Sequence, residues 1–290
     1  MAHFTMSTLL QASLEPPRPL IDGLLNYGEV GMFVAPQKQG KSLFSLQLAM
    51  SVASGIMFAN TWPVVESGAV LYIAMEGTIY EWQRRTRRLQ NLLQVPLTDN
   101  LHFEFQPTMY LNTTKGQQLL LDLVNAYHPA LIIPDPLYHT HEGEMFTAHA
   151  MQKTTVFIDY IRTKTGAAIW LPHHTPKPTT NAFGFKNEAR GGDSLGYGSA
   201  ALGWWVDVEY NIAANRRKKT SIFRCPYSRI DERVPEPETE GIELDYVATP
   251  EAQGFTAGAG ARIEAMLSDL DGLAVTEVAE RLGMTKYAAG

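Results

Sequence analysis

Val34-Ala35-Pro36-Gln37-Lys38-Gln39-Gly40-Lys41-Ser42 is the stretch on which the fold is decided. From Ala35 to Ser42 it follows the pattern Ala-x-x-x-x-Gly-Lys-Ser, which reads as a phosphate-binding loop. Its flanks agree. The apolar run Val30 to Val34 reads as a buried strand, and Leu43 to Ala53 carries apolar residues at helical spacing. A strand that feeds a helix through such a loop aims backbone N–H groups and the positive end of the helix at phosphate oxygens. Gly40 lacks the Cβ that would oppose the required backbone conformation. Lys41 sets a charge against the β- and γ-phosphates of a nucleotide, and the Ser42 hydroxyl is a ligand for Mg2+. All of Ala35, Pro36, Gln37, Lys38, Gln39, Gly40, Lys41 and Ser42 are therefore expected to line the phosphates. Ala35 departs from the usual glycine, but alanine is the next smallest side chain. The bland alternative is a strand–helix turn with no ligand.

Working outward, strands and helices alternate. Ala69 to Met75 reads as a second core strand, Ala130 to Pro134 as a third and Ala167 to Leu171 as a fourth, with a short strand at His102 to Phe105. Helices are expected over Ile79 to Leu93, Gly116 to Ala126 and Ala148 to Lys164. Near-continuous apolar strands separated by helices predict a mostly parallel central sheet covered on both faces. In such α/β folds ligands bind at the carboxyl ends of the strands. Beyond this core, Pro172 to Gly198 is a long Gly-, Pro- and Thr-rich stretch, of the kind usually given over to function. Val206 to Ile212 and Ser221 to Arg224 read as a hairpin around the basic turn Asn215 to Lys219. The domain reading is a lead-in and subunit-contact segment over 1–25, an ATPase domain over 26–234, a linker over 235–260 and a helical tail over 261–290. In the tail, Val275 to Thr285 is similar to the first half of a helix-turn-helix, with Gly283 at the tight turn. A small amphipathic hairpin explains that stretch equally well.

Three strand ends supply what a phosphate loop lacks. Leu131-Ile132-Ile133-Pro134-Asp135 is an apolar strand ending in an acid, and Asp135 would hold Mg2+ through its water shell. Glu76, after the second strand, could orient or deprotonate an attacking water; a helix-entry acid is the alternative. Trp170-Leu171-Pro172-His173-His174 ends in a histidine that could contact the γ-phosphate. Adjacent residues diverge on an extended chain, so His173 and His174 cannot easily share one metal. His139, His141, Glu142 and Glu144 have a ligand-like look as well, but a polar loop beside the nucleotide is the simpler reading.

With loop, strand-end Glu, strand-end Asp and His-His in this order, the chain resembles the RecA-like P-loop ATPases. Within them it is similar to the RepA-type hexameric replicative helicases of plasmids and related elements, an AAA_25-like group. Leu20 to Leu25 and His173 to Lys177, followed by Gly198 to Ala201, share in that likeness, which covers roughly residues 18–230. The resemblance implies an ATP hydrolase with Mg2+. Lys41 would be the P-loop lysine, Glu76 the catalytic glutamate, Asp135 the Walker B aspartate and His174 the γ-phosphate sensor. It also implies a homo-oligomeric, hexameric ring acting on single-stranded DNA with a replication-initiation partner. The site would be completed by an arginine from the adjacent subunit, for which Arg224, Arg229 and Arg190 are candidates. Arg190, Lys177 and Lys186 could also face nucleic acid in the ring pore. Gly191 to Tyr197 looks longer than the family's usual loop. Other readings are an ATP-switched DNA-binding regulator and a recombinase- or loader-like ATPase.

Composition sets the outer bounds. The 290 residues are 45% hydrophobic and 19% charged, as in ordinary globular proteins. No apolar run approaches the roughly 18 residues of a membrane span, and no signal pattern opens the chain, so a cytoplasmic protein is expected. The single Cys225 excludes an internal disulfide. A net charge of −6 is not that of a protein coating nucleic acid, so binding would fall to local clusters such as Arg84 to Arg88 and Arg216 to Lys219. The first cluster wraps around its helix, and a solvated helix face is the alternative there.

Overall fold

The computed structural model describes residues 3–143, 148–175, 200–215, 220–229 and 242–257. A short helix, α1 (Met6–Gln11), and a two-stranded ribbon, β1 (Pro19–Ile21) with β2 (Leu25–Asn26), precede the core. The core alternates: β3 (Val30–Ala35), α2 (Lys41–Ser54), β4 (Val70–Ala74), α3 (Ile79–Leu93), β5 (Leu101–Phe105), α4 (Thr114–Tyr127), β6 (Leu131–Asp135), α5 (Ala148–Thr165) and β7 (Ala168–His174). Then come α6 (Ala200–Trp205), β8 (Val208–Asn215), β9 (Thr220–Ser228), β10 (Ile242–Ala248) and β11 (Gln253–Ala257).

One sheet runs in the order β11-β10-β9-β8-β3-β7-β6-β4-β5. From β8 to β5 every neighbouring pair is parallel, and β8 to β11 are joined antiparallel. The expected mostly parallel sheet flanked by helices is thus present. Every residue of β3, β4 and β6 is buried, because both faces are covered. Val30, Met32 and Val34 of β3 face the core under α4, α5 and α6, while Phe33 and Ala35 face the core around α2. Pro134 sits where its missing N–H costs little. The ladder from β6 to β7 runs only over Leu131 and Ile132, so Pro134 comes after it has ended.

Helix α2 is buried on all sides, from Leu43 through Ala53. A helix apolar all round must be enclosed, and the sheet curls to do it. β11 and β5 are its opposite edges in pairing order. Yet β11 packs on α2 and on α3, the helix that leads into β5. Asn91 of α3 donates to the Glu251 carbonyl at 2.9 Å, and Gly254 comes so close that a Cβ there would lie 2.4 Å from Leu92. An aromatic cluster fills the enclosure. Phe33 stacks on Phe44 at 4.5 Å, Tyr210 on Phe223 at 5.0 Å, and Phe255 meets Phe44 edge-on at 5.4 Å. The polar groups trapped there are matched: Trp170 Nε1 donates to Ser45 Oγ at 3.0 Å, and the Gln47 amide both donates to and accepts from the Phe255 backbone, at 2.6 and 2.7 Å.

Two expectations change. The stretch 235–260, expected to be a linker, contains β10 and β11, which finish the enclosure. Its acidic, proline-bearing start hid the alternation that follows. Leu20, Ile21, Leu24 and Leu25, set in the lead-in, are fully buried in the core around α2. α1, by contrast, buries none of its residues. β7 runs three residues beyond Leu171, which places both histidines on the strand itself. The helix-turn-helix-like tail, the basic turn Arg216 to Lys219 and the loop bearing Lys177, Lys186 and Arg190 lie outside the described residues. No helix among the described residues is long and apolar enough to cross a membrane.

Replacing Gln47 by Ala removes both partners of the buried Phe255 backbone. We expect a loss of about 2–4 kcal/mol, from two unsatisfied buried groups. Urea denaturation checks this, and an unchanged midpoint would mean that β11 is not held through Gln47.

Candidate active site

The chemistry gathers at the carboxyl ends of β3, β4, β6 and β7. β3 ends at Ala35, and the chain turns through Pro36 to Gln39 into α2. Gly40 caps that helix with φ +84°, a left-handed conformation, and no side chain caps the helix end. The backbone conformation favours glycine, and a Cβ on Gly40 would crowd the Phe255 ring at 3.1 Å. Lys38 also has a positive φ, 61°. A loop kinked in this way, leading into an uncapped helix N-terminus, concentrates N–H donors for an anion.

Lys41, the first residue of α2, folds its side chain back under the loop. Its Nζ donates to the carbonyls of Ala35 and Pro36, both at 2.9 Å. It is 6% exposed. Burial lowers its pKa to about 8, against the opposing pull of the Asp135 and Glu76 carboxylates. An ammonium held among carbonyls, short of a full counter-charge, is suited to receive a phosphate.

Asp135 ends β6 and is buried. Burial raises its pKa, while hydrogen bonds from Tyr72 and Ser42 work the other way. Tyr72 reaches across from β4 and donates to Asp135 Oδ2 at 2.6 Å. The same hydroxyl lies 3.3 Å from the Ser42 carbonyl, so Tyr72 ties the acid to the loop. Burial and the Asp135 charge together raise the phenol well above its ordinary range, so it stays a donor. Ser42 and Asp135 therefore meet at the same phenol, Asp135 through its carboxylate and Ser42 through its carbonyl. They offer two hard oxygens of the kind Mg2+ takes alongside nucleotide phosphates and water. The donor set fits a metal–nucleotide complex.

Glu76 lies just past β4. The backbone there is clamped: Met75 N–H donates to the Asp135 carbonyl at 2.9 Å, and Trp82 Nε1 donates to the Glu76 carbonyl at 2.8 Å. The carboxylate is 56% exposed and lies 3.2 Å from His139 Nε2. In register, His174 of β7 pairs with Ala35, the first residue of the loop. Its Nδ1 is buried and has no hydrogen-bond partner among the described residues. Burial lowers the His174 pKa, and the Lys41 charge lowers it further. A neutral ring with a free nitrogen next to the loop can hydrogen-bond a phosphate or a water. His173 points to the opposite face and is buried, so the two histidines do diverge.

Lys41, Ser42, Asp135, Glu76 and His174 are thus brought together. The two arginines are not. Arg224 is exposed on β9, opposite Asn211 of β8, which in turn pairs with Val34. Arg229 lies at the other edge of the sheet, where it ion-pairs with Asp207 at 3.5 Å and donates to the carbonyls of Trp204 and Trp205. His141 hydrogen-bonds Thr154 at 3.2 Å rather than joining His139. Among the described residues no cluster of three or more His, Cys, Asp or Glu could hold a metal; Glu144 lies outside them. The sequence reading missed Tyr72. The available signal was a phenol in an otherwise aliphatic strand, whose buried hydroxyl needs a partner.

The Lys41 shift makes nucleotide binding pH-dependent. Below about pH 8 the ammonium is already charged and affinity is flat from this source. Above it the free protein loses the proton that the complex needs, so the Kd should rise by about tenfold per pH unit. Fluorescent-nucleotide titrations between pH 7 and 9.5 check this, and a flat profile would place the Lys41 pKa elsewhere.

The family model of the AAA domain, AAA_25, matches residues 2–180. In fold the chain is similar to the crystal structure of a KaiC-like protein from the hyperthermophilic archaeon Pyrococcus horikoshii OT3. The TM-score is 0.53 at 10% identity, over 83% of this chain and 99% of that one. At this identity the likeness concerns the fold alone. No curated protein matches the chain. The family match covers well over half of the sequence and includes the loop, Glu76, Asp135 and His174. The chain belongs to this AAA domain family, and it is a P-loop ATPase with a RecA-like core.

Proposed function

We propose that this ATPase hydrolyses Mg-ATP to move along single-stranded DNA, as a hexameric ring-forming replicative helicase of the plasmid, phage or mobile-element kind. The observation that carries the reading is the unequal exposure of the two carboxylates. Asp135 is sealed beneath the loop, whereas the Glu76 carboxylate is open. Two acids at one site take separate roles when their surroundings differ. Asp135 and Ser42 would hold Mg2+, which when bound neutralises charge on the phosphates. Glu76 would orient a water and take its proton as the water oxygen attacks the γ-phosphorus and the bond to the β-phosphate breaks. Lys41 would stabilise the charge that develops. His174, paired with Ala35 and at the end of β7, would link the phosphate to the loop that follows.

Arg224 is the better placed candidate to complete a neighbour's site, since Arg229 is engaged within its own subunit. A replication-initiation protein is the partner this reading implies.

Changing Glu76 to Gln should lower kcat by about 100- to 1000-fold while leaving nucleotide affinity close to normal. Steady-state ATPase and nucleotide titration test this together, and normal turnover would remove Glu76 from the mechanism. In a strand-displacement assay, ATP-dependent unwinding that stops in Glu76→Gln is expected. Duplex binding without unwinding would favour an ATP-switched regulator. Filaments on DNA would favour a recombinase-like ATPase. Particle mass should reach that of a ring with a non-hydrolysable ATP analogue, and a monomer with and without it would overturn the ring.

A further inference from the structure

We propose that His139 is a positioning residue for Glu76, holding one oxygen of its carboxylate so that the other is presented to water. This rests on Glu76 being the water-orienting acid. His139 sits in the short 3-10 turn Leu137–Thr140 that follows β6, and Glu76 sits past β4, so the 3.2 Å contact joins the ends of two adjacent parallel strands. Of the two partners, His139 has the stiffer mount. Its N–H donates to the Pro136 carbonyl at 3.1 Å, and its own carbonyl accepts from Met109 at 3.3 Å. The next residue, Thr140, is fully buried, and its hydroxyl donates to the Leu137 carbonyl at 2.7 Å. The imidazole is 29% exposed, about half as open as the carboxylate it holds.

Glu76 has the opposite character. Its backbone is fixed, but its side chain is more than half exposed and carries several rotatable bonds. An unheld glutamate in that setting samples many rotamers, most of them turned away from the loop. The Nε2–H of His139 donates to Oε1 and selects one of them, leaving Oε2 to be presented to water. The placement has a second consequence. Glu76 and His139 follow the ends of β4 and β6, at the same edge of the sheet where His174 pairs with Ala35, the first residue of the loop, so the pair stands on the loop's side of the sheet. His139 therefore acts through Glu76 and need not touch the nucleotide.

The test is a cycle of His139→Ala, His139→Gln, Glu76→Gln and His139→Ala with Glu76→Gln, read by single-turnover hydrolysis, nucleotide affinity and thermal denaturation. His139→Ala should slow hydrolysis by about 10- to 100-fold, the scale of a misplaced catalytic group. Nucleotide Kd and denaturation midpoint should stay close to wild type. His139→Gln, which keeps an N–H at comparable reach, should recover most of the rate. Adding His139→Ala to Glu76→Gln should cost nothing more, because the two act as a unit. Near-normal hydrolysis in His139→Ala, equal losses in both backgrounds, or an alanine variant that glutamine does not rescue would each overturn the positioning role. If Glu76→Gln itself turns over normally, the assignment of Glu76 fails and the role of His139 falls with it. That outcome is distinct from the other three, in which Glu76→Gln remains impaired.

Discussion

Helix α2 has no side left for solvent, and most of the architecture follows from that. A helix with Leu, Phe, Met and Val on every face has to be enclosed. A flat sheet can cover only one side of it. The chain meets this demand by adding β9, β10 and β11 to the parallel core and curling them round until β11 reaches α3. The aromatic rings of Phe33, Phe44, Tyr210, Phe223 and Phe255 take up the space within. The same closure fixes the loop, because Gly40 rests against Phe255 and Gln47 grips the Phe255 backbone. The rigidity of the phosphate cradle is therefore bought by a strand more than 200 residues further along the chain.

Within that frame the charges at the site are placed by degree of burial. Lys41 is desolvated enough to lower its pKa, yet it retains two carbonyls and the fields of two acids. Asp135 is deeper and accepts a hydrogen bond from Tyr72. Glu76 is open, with its backbone clamped by Met75 and Trp82. Dipoles and charges fixed before the substrate arrives need little reorganisation when charge develops, and fixed placement is what makes them effective. The N-terminal edge of the sheet carries a different network. Asp207 accepts from the Val30 N–H at 2.9 Å and pairs with Arg162 and Arg229, while Arg162 also pairs with Asp159 at 2.7 Å. It locks β3, β8 and α5 together at the end remote from the loop, where no chemistry is required.

The loop, Glu76, Asp135 and the helices around them could be read along the chain because each signal is local. A helix such as Ile79–Leu93 carries its own capping box, Thr78 with Glu81, and its own amphipathic stripe. The core strands carry unbroken apolar runs. β10 and β11 were not legible. Their placement is set by α2 and α3, and within β10 Leu244 alone is fully buried. The arginines show the same limit. Arg84 to Arg88 read as one cluster, but Arg85 lies over the Trp82 ring at 5.3 Å and Arg88 donates to the Thr249 carbonyl, while Arg84 and Arg87 remain exposed. Charge along a sequence does not reveal which side chains are spent on the fold.

The amino-acid sequence by itself determined the phosphate loop, the order of strands and helices and the acids at the strand ends. Each of these depends on residues within one turn or one strand of one another. Only the tertiary structure decided that Tyr72 bridges Asp135 and Ser42, that His139 meets Glu76, that Arg229 belongs to Asp207 and that β11 closes over the loop. Those contacts join residues from about 20 to more than 200 positions apart, and their geometry is set by how the sheet curls around a helix that cannot face water.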